Sequence, residues 1–296
     1  MEWREGRVEA LTITVLIDDQ AGMNSPYLAQ HSVSFLLEIT IKEEQRTVLF
    51  DAGADSGPVL ANMKTAGLDP TRVDLIVLSH SHYDHTGGLE GLVRAIGKKD
   101  LPIIAHSQLF RTTFITEPFF RHVGITGADA KRKIEEAGGR WILSDEPIML
   151  GTGLLYSGTV PRCHNHESAA GMKLFQIQEN KVLPDDIDDD VSLYINTPKG
   201  LVVVTGCAHA GIVNILEYGR QLTGKDQIFS VVGGFHLTGA DDSRIDWTIA
   251  CLQSLVTEKI YSGHCTGLKA EGRLLERLGE RYRSFHSGKQ IRFKLD

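Results

Sequence analysis

Between Ser79 and Gly88 the chain reads "SHSHYDHTGG", with His80, His82, Asp84 and His85 inside six residues. Imidazole and carboxylate are the side chains that suit zinc, manganese or iron. His80 and His82 are two apart, so an extended segment points both the same way. Asp84 and His85 follow where the chain must turn. Adjacent residues on a turn point apart, so these two need not aim at the atom that the first pair holds. A cluster with two aims fits two nearby cations better than one. Gly87 and Gly88 are expected to let the backbone turn tightly into a helix.

The cluster follows the apolar run "DLIVLS" (74–79), which reads as a strand buried on both faces. The same pattern recurs three times. "LVVVTGCAH" (201–209), "QIFSVVGGFH" (227–236) and "EKIYSGHCTG" (258–267) are β-branched or aromatic runs that end in a glycine-containing turn with a histidine: His209, His236 and His264. Ligands of open α/β sheets bind beyond the carboxyl ends of the strands, so four such strand ends point to one site.

The elements that must position them follow from periodicity. Strands are expected at 10–17, 32–41 and 46–53, the last two as a hairpin turning at Glu43 and Glu44. A helix over 56–68 takes Ser56 as its N-cap, with Pro58 in the first turn. Leu89, Leu92, Val93 and Ile96 form one helical face, and "LPIIAH" (101–106) another strand. From 191 onward strands alternate with helices marked by Ile212, Ile215, Leu216 and Leu222, and by Ile245, Ile249, Leu252 and Val256. Residues 111–190 are the least regular and read as an inserted subdomain or lid. Within them "DDIDDD" (185–190) reads as a solvated loop, lacking the glycine and terminal glutamate of a calcium loop.

The 296 residues carry a formal net charge of −7 and are 42% hydrophobic, which suits a sizeable core and argues against a broad nucleic-acid or membrane-surface binder. No secretory signal is evident, and no apolar run nears the roughly 20 residues of a membrane helix. Cys163, Cys207, Cys251 and Cys265 form no CxxC pair, as expected of free thiols in a reducing cytosol.

The stretch His80-Ser81-His82-Tyr83-Asp84-His85 matches in full the HxHxDH signature of the metallo-β-lactamase superfamily, which this chain resembles over nearly its whole length. "LFDAG" (49–53) looks like the superfamily's upstream Asp–Gly strand end. More narrowly, "SHSHYDHTGGL", "TGCAHAGI", "GGFHL" and "GHCTG" resemble the group named after dihydropterin–ribofuranosylaminobenzene-phosphate synthase of methanopterin biosynthesis. The resemblance implies one domain over 1–296, a four-layer αβ/βα sandwich of two mixed β-sheets. It implies two divalent metal ions, zinc first and manganese or iron as alternatives. His80 and His82 would bind one; Asp84, His85 and His264 the other; Asp51 would brace the ligand loop.

The pattern departs from the superfamily at two places. Cys207 stands where many members have a bridging aspartate; it could be a bridging thiolate, a weaker ligand or a buried strand-end thiol. The first site's third histidine has no clean match: His164 and His166 lie in an unfamiliar context, and His209 is the best candidate. His236 has no counterpart among the usual ligands and is assigned to substrate contact or proton transfer. Thr266, with Gly267, opens a helix whose N–H groups could hold a phosphate or carboxylate. Arg162 and Glu167 are read as a surface charge pair.

Three functions fit. The first is a metal-dependent hydrolase of a phosphoester or acyl-type small molecule. It would use a metal-bound water whose pKa falls from about 15.7 to roughly 7, oriented by Asp84, with His236 as proton donor. The second is a synthase of the pterin and ribofuranosylaminobenzene-phosphate type, on a phosphate-bearing substrate; the third is a non-catalytic metal or ligand binder. A cytoplasmic protein with no nucleic-acid or membrane partner is expected. Oxygen-activating di-iron chemistry fits less well, because His82 stands where such sites use glutamate.

Overall fold

The structure, a computed structural model, describes residues 6–125, 127, 129–167 and 173–295. The first seven-stranded sheet holds β1 (Ala10–Ile17), β2 (Ser34–Ile41), β3 (Glu44–Phe50), β4 (Leu75–Val77), β5 (Leu101–Ala105), β8 (Gly139–Leu143) and β18 (Gln290–Phe293) in the order β18-β1-β2-β3-β4-β5-β8. β3, β4, β5 and β8 run parallel; the rest pair antiparallel. The second holds β9 (Ile148–Gly151), β10 (Leu154–Tyr156), β13 (Ser192–Thr197), β14 (Gly200–Thr205), β15 (Ile228–Gly233), β16 (Val256–Ser262) and β17 (Tyr282–Ser284) in the order β17-β16-β15-β14-β13-β10-β9. Its β14 to β17 are parallel.

Strand alternation decides which face each side chain buries. In β2, Phe35, Leu37 and Ile39 pack against Leu193, Ile195 and Val204 of the facing sheet, whereas Leu36 turns outward. Outside the first sheet, Leu36, Leu49 and Ile76 meet helices α1 (Ser56–Thr65), α3 (Leu89–Ile96) and α4 (Ala130–Glu136). Outside the second, Val203, Val231 and Ile260 meet α5 (Ile212–Thr223), α6 (Asp242–Leu255) and α7 (Leu268–Leu278). The layers are therefore helix, sheet, sheet, helix, the αβ/βα sandwich that the resemblance implies.

The stretch 111–190 is not one insertion. α4 and β8 to β10 return to the two large sheets. Among the described residues, β6 (Thr112–Ile115), β7 (Arg121–His122), β11 (Leu174–Gln178) and β12 (Lys181–Pro184) form a separate four-stranded sheet, ordered β12-β11-β6-β7. The acidic run is not a solvated loop either: Asp185, Asp189 and Asp190 are buried. Arg111, at the start of the small sheet, pairs with Asp185 at 2.8 Å and Asp189 at 2.7 Å, which is why these carboxylates tolerate burial. Helix α1 is capped by Asp55, whose carboxylate accepts the Gly57 N–H at 2.7 Å, rather than by Ser56.

Gly87 and Gly88 also play a different part from the one expected. Their φ angles, −64° and −79°, are ordinary right-handed values that any residue adopts. What excludes a side chain is the backbone of residues 52–56. A Cβ at Gly87 would lie 2.3 Å from the Ala54 carbonyl oxygen, and one at Gly88 2.3 Å from that of Ala52. The two glycines thus let the loop after β3 lie directly on the loop after β4. Gly88→Ala is expected to lower stability by about 1–3 kcal/mol through overpacking, read from denaturant unfolding. An unchanged midpoint would mean that the 52–56 segment moves aside freely.

Candidate metal centre

Six strand ends converge on one edge of the sandwich. β1 leads to Asp18 and Asp19, and β3 to Asp51. β4 leads to His80, His82 and the single-turn helix α2 (Tyr83–Thr86) with Asp84 and His85. β14 leads to Cys207 and His209, β15 to His236, and β16 to His264 and Cys265. Asp51, Ala208, His236 and His264 have φ between +44° and +61°, left-handed values that non-glycine residues seldom adopt. The strand ends therefore bend sharply to turn these side chains inward.

Among the described residues, the expected ligands fall into two groups. In the first, His80 Nε2 lies 3.0 Å from His82 Nδ1, and the His209 ring stands 4.7 Å from that of His80 and 5.0 Å from that of His82. In the second, Asp84 Oδ2 lies 3.5 Å from His85 Nε2 and 3.3 Å from His264 Nε2. Cys207 Sγ lies within 4.8 Å of donors of His80 and His209 and of those of Asp84, His85 and His264, and 3.1 Å from His85 Nε2. His82 Nε2, both ring nitrogens of His209 and His264 Nε2 are buried with no hydrogen-bond partner. An unsatisfied buried polar atom costs about 1–3 kcal/mol. Three of these four lie in the first group and fit a cation there; in the second, a carboxylate and two imidazoles gathered with a thiol are a donor set that fits a second.

The electrostatics agree. Burial, and then the neighbouring imidazoles, push His80 and His209 far below the usual histidine range, and burial takes His82 down to about 4. These three rings are therefore held in the neutral form that can ligate a cation. Burial opposes a charge on His85 too, but Asp51 and Asp84 overcome it and hold this group up at about 9. Burial, with Cys265 alongside, pushes the Cys207 thiol up, so its thiolate needs a nearby positive charge.

Every ligand loop is braced. Asp51 accepts the Ser79 N–H at 2.6 Å and the Ser79 hydroxyl at 2.7 Å, and sits 2.7 Å from His85 Nδ1, which leaves His85 Nε2 facing the site. Asp189 accepts the Ser81 N–H at 2.8 Å, and Asp190 accepts the Ala210 N–H at 2.9 Å. The acidic run thus fastens both loops of the first group.

Other expectations meet different geometry. Arg162 and Glu167 do not pair on the surface. Arg162 donates to the carbonyls of His209, Asp186 and Ile187, while buried Glu167 accepts the N–H groups of Val213 and Asn214 at the start of α5. The Thr266 N–H is donated to the Gly263 carbonyl and its hydroxyl accepts from Phe235, so neither is turned to an anion. His164 lies 2.8 Å from Glu217 and His166 stacks on Trp247, outside both donor groups. The His236 ring is 4.2 Å from that of His209 and lines the cavity.

Asp19 and His31 escaped the sequence reading. Asp19 sits 2.8 Å from His264 Nδ1 and orients that ring as Asp51 orients His85. Its signal was the carboxylate closing strand "ALTITVLI", the pattern that marks Asp51. His31 stacks on His264 at 5.3 Å and reaches within 3.8 Å of Asp84 from a loop with no periodicity to reveal it. The cluster opens to a cavity of about 360 Å3, lined also by Tyr83, Ile115, Arg121 and Leu174.

The family model of the metallo-β-lactamase superfamily matches residues 29–264. The chain belongs to this superfamily. It is 40% identical, over 97% of its length and 98% of the relative's, to the 7,8-dihydropterin-6-methyl-4-(β-D-ribofuranosyl)-aminobenzene-5'-phosphate synthase of Methanocaldococcus jannaschii. A second, uncharacterised protein of that organism is 34% identical over 87% of this chain and 91% of its own. Among solved structures, a metal-dependent hydrolase of the β-lactamase superfamily superposes with a TM-score of 0.77 at 24% identity, over 95% of this chain and 98% of its own. A diphosphatase of the PhnP family gives 0.51 at 14% identity, over 97% and 98%. These two establish the fold alone. No described helix is long and apolar enough to cross a membrane.

A cation taken by His85 Nε2 must displace a proton, because that group, raised from the ordinary 6.5 to about 9, is charged at pH 7.5. Zinc uptake by chelated protein should therefore release this proton at pH 7.5 and not at pH 10. Asp51→Asn should weaken uptake roughly 10–100-fold and reduce the release at pH 7.5. Calorimetry in buffers of differing ionisation enthalpy reads both; equal release from both proteins would contradict the assignment.

Proposed function

We propose that this chain is a metal-dependent transferase. In this reading it joins the methyl carbon of a dihydropterin, activated as its diphosphate, to the amine of a ribofuranosylaminobenzene 5'-phosphate. The observation that carries the reading is the 40% identity to a synthase of that name over nearly the whole of both chains. His80, His82 and His209 would hold one divalent ion, and Asp84, His85 and His264 a second; Cys207 Sγ lies within 4.8 Å of donors of His80, His209, Asp84, His85 and His264. The mixed imidazole, carboxylate and thiol set suits zinc best, with iron or manganese also accommodated. When bound, the ions supply positive charge beside the departing diphosphate oxygens.

The chain's own residues do the rest. The amine nitrogen forms a bond to the methyl carbon as the carbon–oxygen bond to diphosphate breaks, and the diphosphate leaves with the electron pair. His236, on the cavity wall beside His209, takes the proton that the amine sheds. Asp51 and Asp19 keep His85 and His264 in fixed tautomer and orientation. The cavity walls exclude water that would otherwise compete with the amine.

A hydrolase acting on a phosphoester or acyl substrate is the second reading. The neutral, buried imidazoles opening onto the cavity favour it, because the same site would activate water. Incubation of the zinc-loaded protein with 6-hydroxymethyl-dihydropterin diphosphate and the ribofuranosylaminobenzene phosphate separates the two. The joined product plus diphosphate is expected, reduced roughly a hundredfold or more, together with bound zinc, in His82→Ala. Hydrolysis of phosphoesters or acyl esters with no joined product would replace the first reading by the second.

A further inference from the structure

The cavity has two unlike walls. One is the donor cluster. The other is built largely by the small sheet: Ile115 from β6, Leu174 from β11, and Val123 just after β7, with Tyr83 beside them. This wall is apolar except for three charged side chains, Glu117, Arg121 and Lys173. Lys173 forms an ion pair with Glu117, so these two cancel.

Arg121 is placed differently. Its guanidinium carbon lies 5.8 Å from the Tyr83 ring and 5.8 Å from the Phe119 ring. Among the described residues no carboxylate pairs with it. Aromatic rings take the faces of a guanidinium and leave its N–H edges free. A fork of N–H donors at a cavity mouth, in a chain of net charge −7, matches a planar or tetrahedral oxyanion in two parallel hydrogen bonds. Cations at one end, an apolar body and an unspent guanidinium at the other define the ligand's outline: a reacting group, a flat apolar middle and a terminal phosphate.

We infer that Arg121 is the specificity residue that grips the terminal phosphate monoester of the amine-bearing substrate, with its aromatic ring lying along Tyr83, Ile115, Val123 and Leu174. The inference rests on the synthase reading and adds to it which half of the reaction the small sheet recognises. It also gives that sheet a purpose: β7 is only two residues long, and it carries Arg121 to the cavity mouth.

The test uses zinc-loaded full-length protein and two probes, ribofuranosylaminobenzene 5'-phosphate and the same compound without its phosphate, with dissociation constants from calorimetry. The wild type is expected to bind the phosphorylated probe roughly 10–100-fold more tightly. Arg121→Gln should bring that ratio to about one. Arg121→Lys should restore part of it, since it keeps the charge but not the fork. Lys173→Gln should leave the ratio high, because Glu117 already neutralises Lys173. A ratio that survives in Arg121→Gln, as it would if the cations held the phosphate, overturns the inference while condensation by that variant leaves the synthase reading standing. Failure of the wild type to bind either probe overturns both.

Discussion

Buried imidazole nitrogens facing one another without partners are the constraint on which this structure turns. In water each would be hydrogen-bonded; here the fold leaves His82 Nε2 and both ring nitrogens of His209 unpartnered, beside His80, Asp84 and Cys207, where solvent is scarce. Neutral rings at such spacing repel less than charged ones would, and burial keeps His80, His82 and His209 neutral. A divalent ion is the natural partner for lone pairs arranged in this way. The sandwich holds its chemistry at one edge because that is where the parallel strands end.

Holding such a cluster together takes a second layer of interactions, and much of it is acidic. Asp51 and Asp19 fix His85 and His264; Asp189 and Asp190 fix the loops carrying His80, His82 and His209; Arg111 compensates Asp185 and Asp189. Since Arg111 directly precedes the small sheet and the acidic run follows it, the sheet that walls the cavity is tied through the Arg111–Asp189 ion pair to the backbone of the loop carrying His80 and His82. Substrate wall and donor cluster are thereby one mechanical unit.

The sandwich, and the gathering of four histidine-bearing strand ends at one edge, were legible in the sequence because they follow from local patterns: β-branched runs, glycine turns and a histidine after each strand. What escaped lay in long-range pairing. Composition alone makes "DDIDDD" a solvated loop; its burial depends on Arg111, 74 residues before Asp185. The irregularity of 111–190 concealed two small-sheet segments around strands that belong to the main layers. Gly87 and Gly88 could be seen to matter, but their reason is the approach of a segment more than thirty residues upstream rather than their own φ. Arg162 and Glu167 looked like a pair from proximity in sequence, while in the fold each serves a different stretch of backbone.

Diffraction from crystals grown with zinc, recorded on both sides of the zinc absorption edge, tests the central claim most directly. The account predicts two anomalous peaks. One should lie at about 2.0–2.1 Å from nitrogens of His80, His82 and His209, and the other at about 2.0–2.2 Å from Asp84, His85 and His264, with Cys207 Sγ near both. Full-occupancy zinc bound elsewhere, or an edge of the sandwich that stays free of metal while these imidazoles hydrogen-bond to one another, would contradict it.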